Sequence, residues 1–339
     1  MNNITSTFVA LGEQLGAYSH QEDSATEFNA LLKKVYQSNG WFEPLQVKKA
    51  LSNWSHALDK ESIQNWLQKD YFSATQAQKI GLIVAGNIPL VGLHDLLCIW
   101  ASPHKGLIKC ASKDPYLLPW IVSLLEELDP ANKGKITFIL GRLKGYDAVI
   151  ATGSNNSARY FESYFSTVPN LIRKNRNAVA VLDGSESSSK LEALGDDILR
   201  YYGLGCRNVS KVYLPKGYNL DSIFGGLYPN REVIESSKYA NNYDYNKAVY
   251  LMSDFDFLEN GFFLLRESSE WAAPIACLHY QYYNNLEEVK KELATNTENI
   301  QCLVSEMDLQ NSFPLGKAQE PQLWDYADGQ NTLEFLASI

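Results

Sequence analysis

From about residue 80 onward the chain is written as short apolar runs, each closed by glycine, proline or a polar turn, with helical stretches between them. GLIVAGNIP (81–89), GLIK (106–109), ITFIL (136–140) and YDAVIAT (146–152) read as buried strands. A helix beginning at Pro119 and running to Leu128, another after Asn155 and a third from Ser188 to Tyr202 follow the pattern. The alternation resumes with VAVLDG (179–184), SKVYLP (210–215), GFFLLRE (261–267) and PIACLHY (274–280), a helix around Leu286 to Leu293, and IQCLV (300–304). Strands that alternate with helices predict doubly wound α/β sheets. Two such lobes are expected from 339 residues, because a single hydrophobic core stops growing near about 250–300 residues.

Residues 1–79 have a different texture. Phe28, Leu31, Leu32 and Val35, then Val47, Leu51, Trp54 and Leu58, recur at three- and four-residue intervals, which predicts a helical preface. The expected organisation is a helical segment at 1–79, one α/β lobe at 80–171, a second at 172–310 and a return segment at 311–339. The sequence contains no solenoid-length repeat and no low-complexity linker.

A net charge of −9 and a pI near 5.2 disfavour nucleic acid and anionic membrane surfaces as partners, while leaving room for a small anion in a local basic pocket. Met1 to Tyr18 lacks a basic start followed by an apolar run, and no window reaches the roughly 18 apolar residues of a membrane span. A cytoplasmic protein is therefore expected. Cys98, Cys110, Cys206, Cys277 and Cys302 form no CxxC pair and read as thiols rather than a disulfide framework. The histidines show no HExxH pattern, so no metal site is expected.

Five places carry candidate chemistry. Cys206 lies in YYGLGCRNVSKVYLP (201–215), where a helix ends at glycines and a strand begins. It reads either as a nucleophile approached closely along glycine backbone or as a small buried hydrophobe. Asn87, after an apolar strand and before Pro89, can donate to an oxyanion or satisfy its own turn. Lys109 ends GLIK and is followed by Ser112 and Lys113, a cationic strand exit or a solvated one. Thr152, Gly153 and Ser154 close a strand and open a helix containing Ser157, which suits a phosphate or an ordinary cap. Glu270 before WAAP can orient a ribose hydroxyl or simply be solvated.

In their order along the chain, these fragments resemble aldehyde dehydrogenases, and within them the LuxC-like acyl-CoA reductases, over roughly residues 80–339. AGNIP is similar to the Asn-x-Pro motif with the oxyanion asparagine, GLIKCASKDP to the Lys-containing cofactor strand, and IATGS to the Phe-Thr-Gly-Ser turn. GLGCRNVSKVYLP resembles the Gly-Gln-x-Cys nucleophile loop, and ESSEWAAP the Glu-x-Phe-Gly-Pro element that gives Glu270 the nicotinamide ribose. PLGKAQEPQLWDYADGQNTLEFL (314–336) resembles a signature of short LuxC-like proteins. Three departures stand out. Leu204 replaces the usual glutamine, the cofactor turn lacks its second glycine near Ser157 and Ala158, and the position of the general-base glutamate of hydrolytic members is Ile172.

The resemblance implies an aldehyde-dehydrogenase-like fold of two doubly wound lobes, the first binding a nicotinamide cofactor and the second carrying Cys206. It implies Cys206 and Asn87 as catalytic residues and Lys109, Ser112, Gly153, Ser154 and Glu270 as cofactor-binding residues. The expected substrate is an acyl-CoA or acyl-carrier thioester, and the expected cofactor NADPH, with NADH as the alternative. Ile172 suits reduction over hydrolysis, because a missing base leaves the acyl-enzyme waiting for hydride. The rival readings are a cofactor-independent acyltransferase or thioesterase using the same cysteine, and a catalytically silent relative. Homo-oligomerisation is left open.

Overall fold

The computed structural model describes residues 2–21, 26–68, 71–72 and 76–339; the remaining parts of the expected helical preface lie outside the described residues. The chain divides into two compact units, Met1–Asn175 with Pro321–Ile339, and Arg176–Glu320.

The first unit opens with α1 (Asn2–Ser19), α2 (Glu27–Ser38), α3 (Pro44–Ala57) and α4 (Lys60–Trp66). Of the stripes read from the sequence, Phe28, Leu32, Val35, Val47, Leu51 and Leu58 are buried, while Leu31 and Trp54 are half-buried. Thr26 caps α2 by accepting from the Asn29 N–H, and Asp59 caps α4 by accepting from Glu61 and Ser62.

The doubly wound part follows as β1 (Lys79–Ile83), α5 (Leu93–Ala101), β2 (Lys105–Lys109), α6 (Leu117–Leu128), β3 (Ile136–Phe138), β4 (Ala148–Thr152), α7 (Asn155–Tyr164) and β5 (Asn170–Arg173). Its five strands are parallel in the order β3-β2-β1-β4-β5, so the winding reverses between β1 and β4. α6 starts at Leu117, ahead of the expected Pro119, because Asp114 accepts the Leu117 N–H at 3.2 Å and the proline falls in the first turn, where no intrahelical donor is required. Neither α5 nor β5 was expected. α5 is buried almost all round, including Leu96, Leu97, Cys98, Ile99 and Trp100, and so shows no one-sided stripe. Its Asp95 pairs with Arg173 of β5, and both bond Thr332. That pairing buries a charge at each end, so β5 lacks the apolar run of a central strand.

The second unit contains β6 (Asn177–Val181), α8 (Ser188–Leu199), β7 (Val209–Pro215), α9 (Asp221–Leu227), α10 (Ser237–Met252), β8 (Leu258–Glu259), β9 (Leu264–Glu267), β10 (Cys277–Tyr283), α11 (Leu286–Thr295), β11 (Ile300–Val304) and β12 (Ser312–Phe313). The strand order is β12-β11-β6-β7-β10-β9-β8, with β8 antiparallel to β9 and the rest parallel. α8 stops at Leu199, short of the expected Tyr202, because Tyr201 and Tyr202 adopt left-handed φ values of 54° and 60°. α10 escaped the sequence reading because its buried positions are Tyr239, Tyr243, Asn246 and Tyr250, polar-tipped residues that blur an apolar stripe.

The last element, α12 (Thr332–Ala337), belongs to the first unit and packs on α5. Ile172 likewise stays in the first unit, paired with Ala151 of β4, whereas 311–320 stays in the second. The units thus divide after Asn175 and after Glu320, the first because strand pairing keeps β5 with its sheet. Among the described residues no helix is long and apolar enough to cross a membrane.

Candidate active site

Each unit carries candidate residues of its own. In the first, Lys109 ends β2, and Asn87, Ser112, Gly153 and Ser154 follow the carboxyl ends of β1, β2 and β4. Ile83 is level with both Lys109 and Ala151 in the strand register, so these loops leave one edge side by side. That edge, at the β1/β4 reversal, is where doubly wound sheets bind ligands. Gly86 permits the close approach of two of the loops, since a Cβ there would stand 2.7 Å from that of Ala111. Asn39, buried under the same loop, donates to the Gly86 carbonyl at 3.1 Å.

The side chains at this edge are mainly donors. Lys109 Nζ donates to the Gly141 carbonyl at 2.6 Å, which leaves two of an ammonium's three N–H groups for a ligand. Ser112 is exposed. Ser154 caps α7 by accepting the Ser157 N–H at 3.3 Å, and its Oγ lies 3.1 Å from Ser157 Oγ. Gly153 leaves no space for a side chain, because a Cβ would meet Ser157 at 2.8 Å and Phe161 at 3.1 Å. Asp114, the acidic residue of the β2 loop, is turned inward onto Leu117, and burial pushes its carboxyl up. A lysine, three serine hydroxyls and the positive end of α7 thus fit a phosphate-bearing, hydroxyl-rich nucleotide. A cavity of about 500 Å³, lined by Trp100, His104, Lys105 and Lys135 among others, opens at the amino ends of β2 and β3, the opposite edge.

In the second unit Cys206 stands in a turn at the amino end of β7. The turn is closed by the Asn208 N–H, which donates to the Gly205 carbonyl at 3.0 Å, and by the Gly205 N–H, which donates to Asn208 Oδ1 at 2.8 Å. Asn208 Nδ2 is shared among the carbonyls of Asp197, Ile198 and Arg200 at 3.1, 3.2 and 2.7 Å, satisfying the end of α8. Cys206 is half-buried. Burial pushes the thiols of Cys110 and Cys277 up to about 12 and that of Cys98 well above its ordinary value, which keeps all three protonated.

Glu270 lies in the loop after β9, with its carboxylate largely exposed and 4.0 Å from Arg266. The backbone of that loop is fixed at three successive carbonyls. Lys211 Nζ donates to Ser269 at 2.9 Å, His279 Nδ1 to Glu270 at 3.3 Å, and Ser210 Oγ to Trp271 at 2.8 Å. Lys211 and His279 are register partners on β7 and β10, while Ser210 is the extra residue of a bulge where β7 meets β6. The Lys211 ammonium is fully buried between the rings of Tyr213 and Trp271, at 4.8 and 4.7 Å. Burial lowers its pKa and that of His279. The sequence reading missed Asn208, Lys211 and His279, although a lysine in SKVYLP and a histidine in PIACLHY are the signal: charge-capable residues inside buried strands require partners.

Two α/β units, one with a donor-lined winding reversal and one with a thiol on a braced turn, define the class by architecture. The chain has the α/β fold of aldehyde dehydrogenases. It is similar to an indole-3-acetaldehyde dehydrogenase complexed with NAD+, 14% identical over 91% of this chain and 72% of that one, with a TM-score of 0.65. The aldehyde dehydrogenase KauB from Pseudomonas aeruginosa is 14% identical over 93% and 74%, with a TM-score of 0.62. An acetylating aldehyde dehydrogenase from Geobacillus thermoglucosidasius is 10% identical over 90% and 76%, with a TM-score of 0.62. No protein-family model matches the sequence, and no curated protein does.

Proposed function

We propose that this protein is an acyl-CoA reductase of the LuxC-like kind, with Cys206 as nucleophile and NADPH as reductant. The observation that carries the reading is the presentation of Cys206: a half-buried thiol on a turn locked at both ends by Asn208, on an aldehyde dehydrogenase fold, while Cys98, Cys277 and Cys302 are buried and desolvation pushes the half-buried Cys110 thiol up to about 12.

Cys206 Sγ, as thiolate, attacks the carbonyl carbon of an acyl-CoA or acyl-carrier thioester, and the carrier thiolate leaves as the acyl-cysteine forms. The Cys206 backbone N–H and the Asn87 amide are the proposed donors to the developing oxyanion. Lys109, Ser112 and the Gly153–Ser154 turn hold the phosphates and ribose of the cofactor, and Glu270 takes the nicotinamide ribose. When bound, the nicotinamide supplies the hydride that converts the acyl group to aldehyde. Lys211, His279 and Ser210 fix the Glu270 backbone from beneath, so that the exposed carboxylate meets its ribose without ordering a loop first.

The test is incubation with acyl-CoAs of graded length and NADPH, following cofactor oxidation, together with intact-mass analysis without cofactor. Oxidation plus an acyl adduct on Cys206 is the expected result. Acyl transfer or hydrolysis with no cofactor dependence would replace this reading with a thioesterase or acyltransferase, and absence of both with a silent relative.

A further inference from the structure

The turn carrying Cys206 is braced from two directions. One brace is Asn208, described above. The other arrives from far along the chain, as a strap over residues 313–320 that starts at the last residue of β12 and contains the first part of the C-terminal string noted in the sequence. The strap is tied down in order. The Leu315 N–H donates to Glu306 Oε1 at 3.0 Å, the Gly316 N–H to Asp197 Oδ2 at 2.6 Å, and the Ala318 N–H to Asp197 Oδ1 at 2.9 Å. The Ala318 carbonyl then accepts from Arg207 Nε, and the Arg207 guanidinium stacks 4.7 Å from the Phe313 ring.

These contacts form a continuous path from Asp197 to the residue next to Cys206. Asp197 is fully buried in the last turn of α8, and its two carboxyl oxygens accept N–H groups two residues apart. An apolar side chain of that size would fill the space but leave both strap N–H groups unsatisfied. Gly316 adopts a φ of +86° and passes so close to α8 that a Cβ would stand 2.8 Å from that of Ala193. The strap is therefore seated by specific residues, and its Ala318 carbonyl is aimed at Arg207.

We propose that Asp197 is a positioning residue for Cys206, acting through the 316–318 backbone on Arg207 and thus on the turn that aims the thiol. This rests on Cys206 being the nucleophile. It assigns the 313–320 strap to the support of the reactive loop, so that the C-terminal string contributes to catalysis without touching substrate.

The experiment uses the full chain with Asp197→Asn, Arg207→Met and Arg207→Lys, and follows hydrogen exchange at Gly205 and Asn208 beside acyl-CoA turnover. Asp197→Asn and Arg207→Met are expected to speed exchange in the turn about tenfold and to lower kcat about tenfold with KM little changed, because they misplace the thiol without altering substrate binding. The double variant should be no worse than either single one, since both cut one path. Arg207→Lys, which keeps a donor, should recover most of the loss. Wild-type exchange in the turn of both folded variants would overturn the proposal, as would independent, multiplying effects. Should Asp197→Asn fail to fold, the Arg207 pair decides alone. Should the wild type reduce no acyl-CoA, the exchange arm still decides, and only the reductase reading falls.

Discussion

Asn208 grips Gly205 twice, accepting its N–H on Oδ1 at 2.8 Å and donating its own N–H to the Gly205 carbonyl at 3.0 Å. The same side chain serves three carbonyls at the end of α8. Asn208→Ala would leave a half-buried N–H and several carbonyls unsatisfied, a loss on the order of 3 kcal/mol. Urea denaturation measures it. A change below about 1 kcal/mol would mean that water replaces the side chain and that the turn closes without it.

Cys206→Ala is expected to remove the acyl adduct and all turnover while leaving the thermal unfolding midpoint near that of the wild type. Ala substitutions at Cys98, Cys110, Cys277 and Cys302 should keep the adduct, since burial holds the first three thiols protonated and Cys302 is buried in β11. Peptide mapping after incubation with acyl-CoA decides; an adduct that survives in Cys206→Ala moves the nucleophile elsewhere.

The alternation of apolar runs made both sheets legible, because parallel strands covered on two faces must be continuously apolar. GLIK, YDAVIAT, SKVYLP and IQCLV all mark strands. What stayed hidden was structure whose burial is polar. α10 buries tyrosines and an asparagine, β5 ends in a paired arginine, and α5 has no exposed face to set a period. The candidate residues stood out where glycine or a strand end marked them, as at Cys206, Lys109 and Gly153. Asp197, Asn208 and Lys211 did not, because their meaning comes from partners at 316–318, 197–200 and 269, distances no local pattern encodes.

Ile172 lies in β5 and packs against the cluster of Val149, Ala151 and Phe165. Its apolar character serves that packing. Ile172→Glu is therefore expected to cost several kcal/mol of stability, on the order of 3, by forcing a carboxylate among apolar neighbours. Faster release of acid from the acyl-enzyme is not the expected gain. Thermal unfolding and single-turnover hydrolysis measured together separate the two: a stable variant with rapid hydrolysis would restore 172 as a general-base position.

Ser112, exposed after β2, stands where the resemblance puts a glutamate in NAD-preferring enzymes. Lys113 follows it. NADPH should outperform NADH, and Ser112→Glu should raise KM for NADPH more than for NADH, because the new carboxylate repels a 2′-phosphate and accepts ribose hydroxyls. Side-by-side kinetics with both cofactors test this. Equal losses for the two would place the 2′-phosphate elsewhere.

Asp197 also makes a statement about pH. Burial is the largest influence on its carboxyl and pushes it up from 3.8 to about 7, with Asp196 adding to the rise and the Gly316 and Ala318 N–H groups and Arg200 opposing it. Between those two values the folded protein keeps a proton that the unfolded chain has released. The contribution of Asp197 to stability is therefore full below about pH 3.8 and is lost as pH rises through about 7. One proton gives at most about 1.4 kcal/mol per pH unit over that window. Other groups titrate in the same range, so the informative quantity is the difference between wild type and Asp197→Asn, whose amide cannot titrate. Urea unfolding at about pH 5 and about pH 8 supplies it. The wild type should lose stability relative to the variant as pH rises. If the difference stays flat instead, the two strap N–H groups outweigh burial, and Asp197 is already ionised across the whole interval.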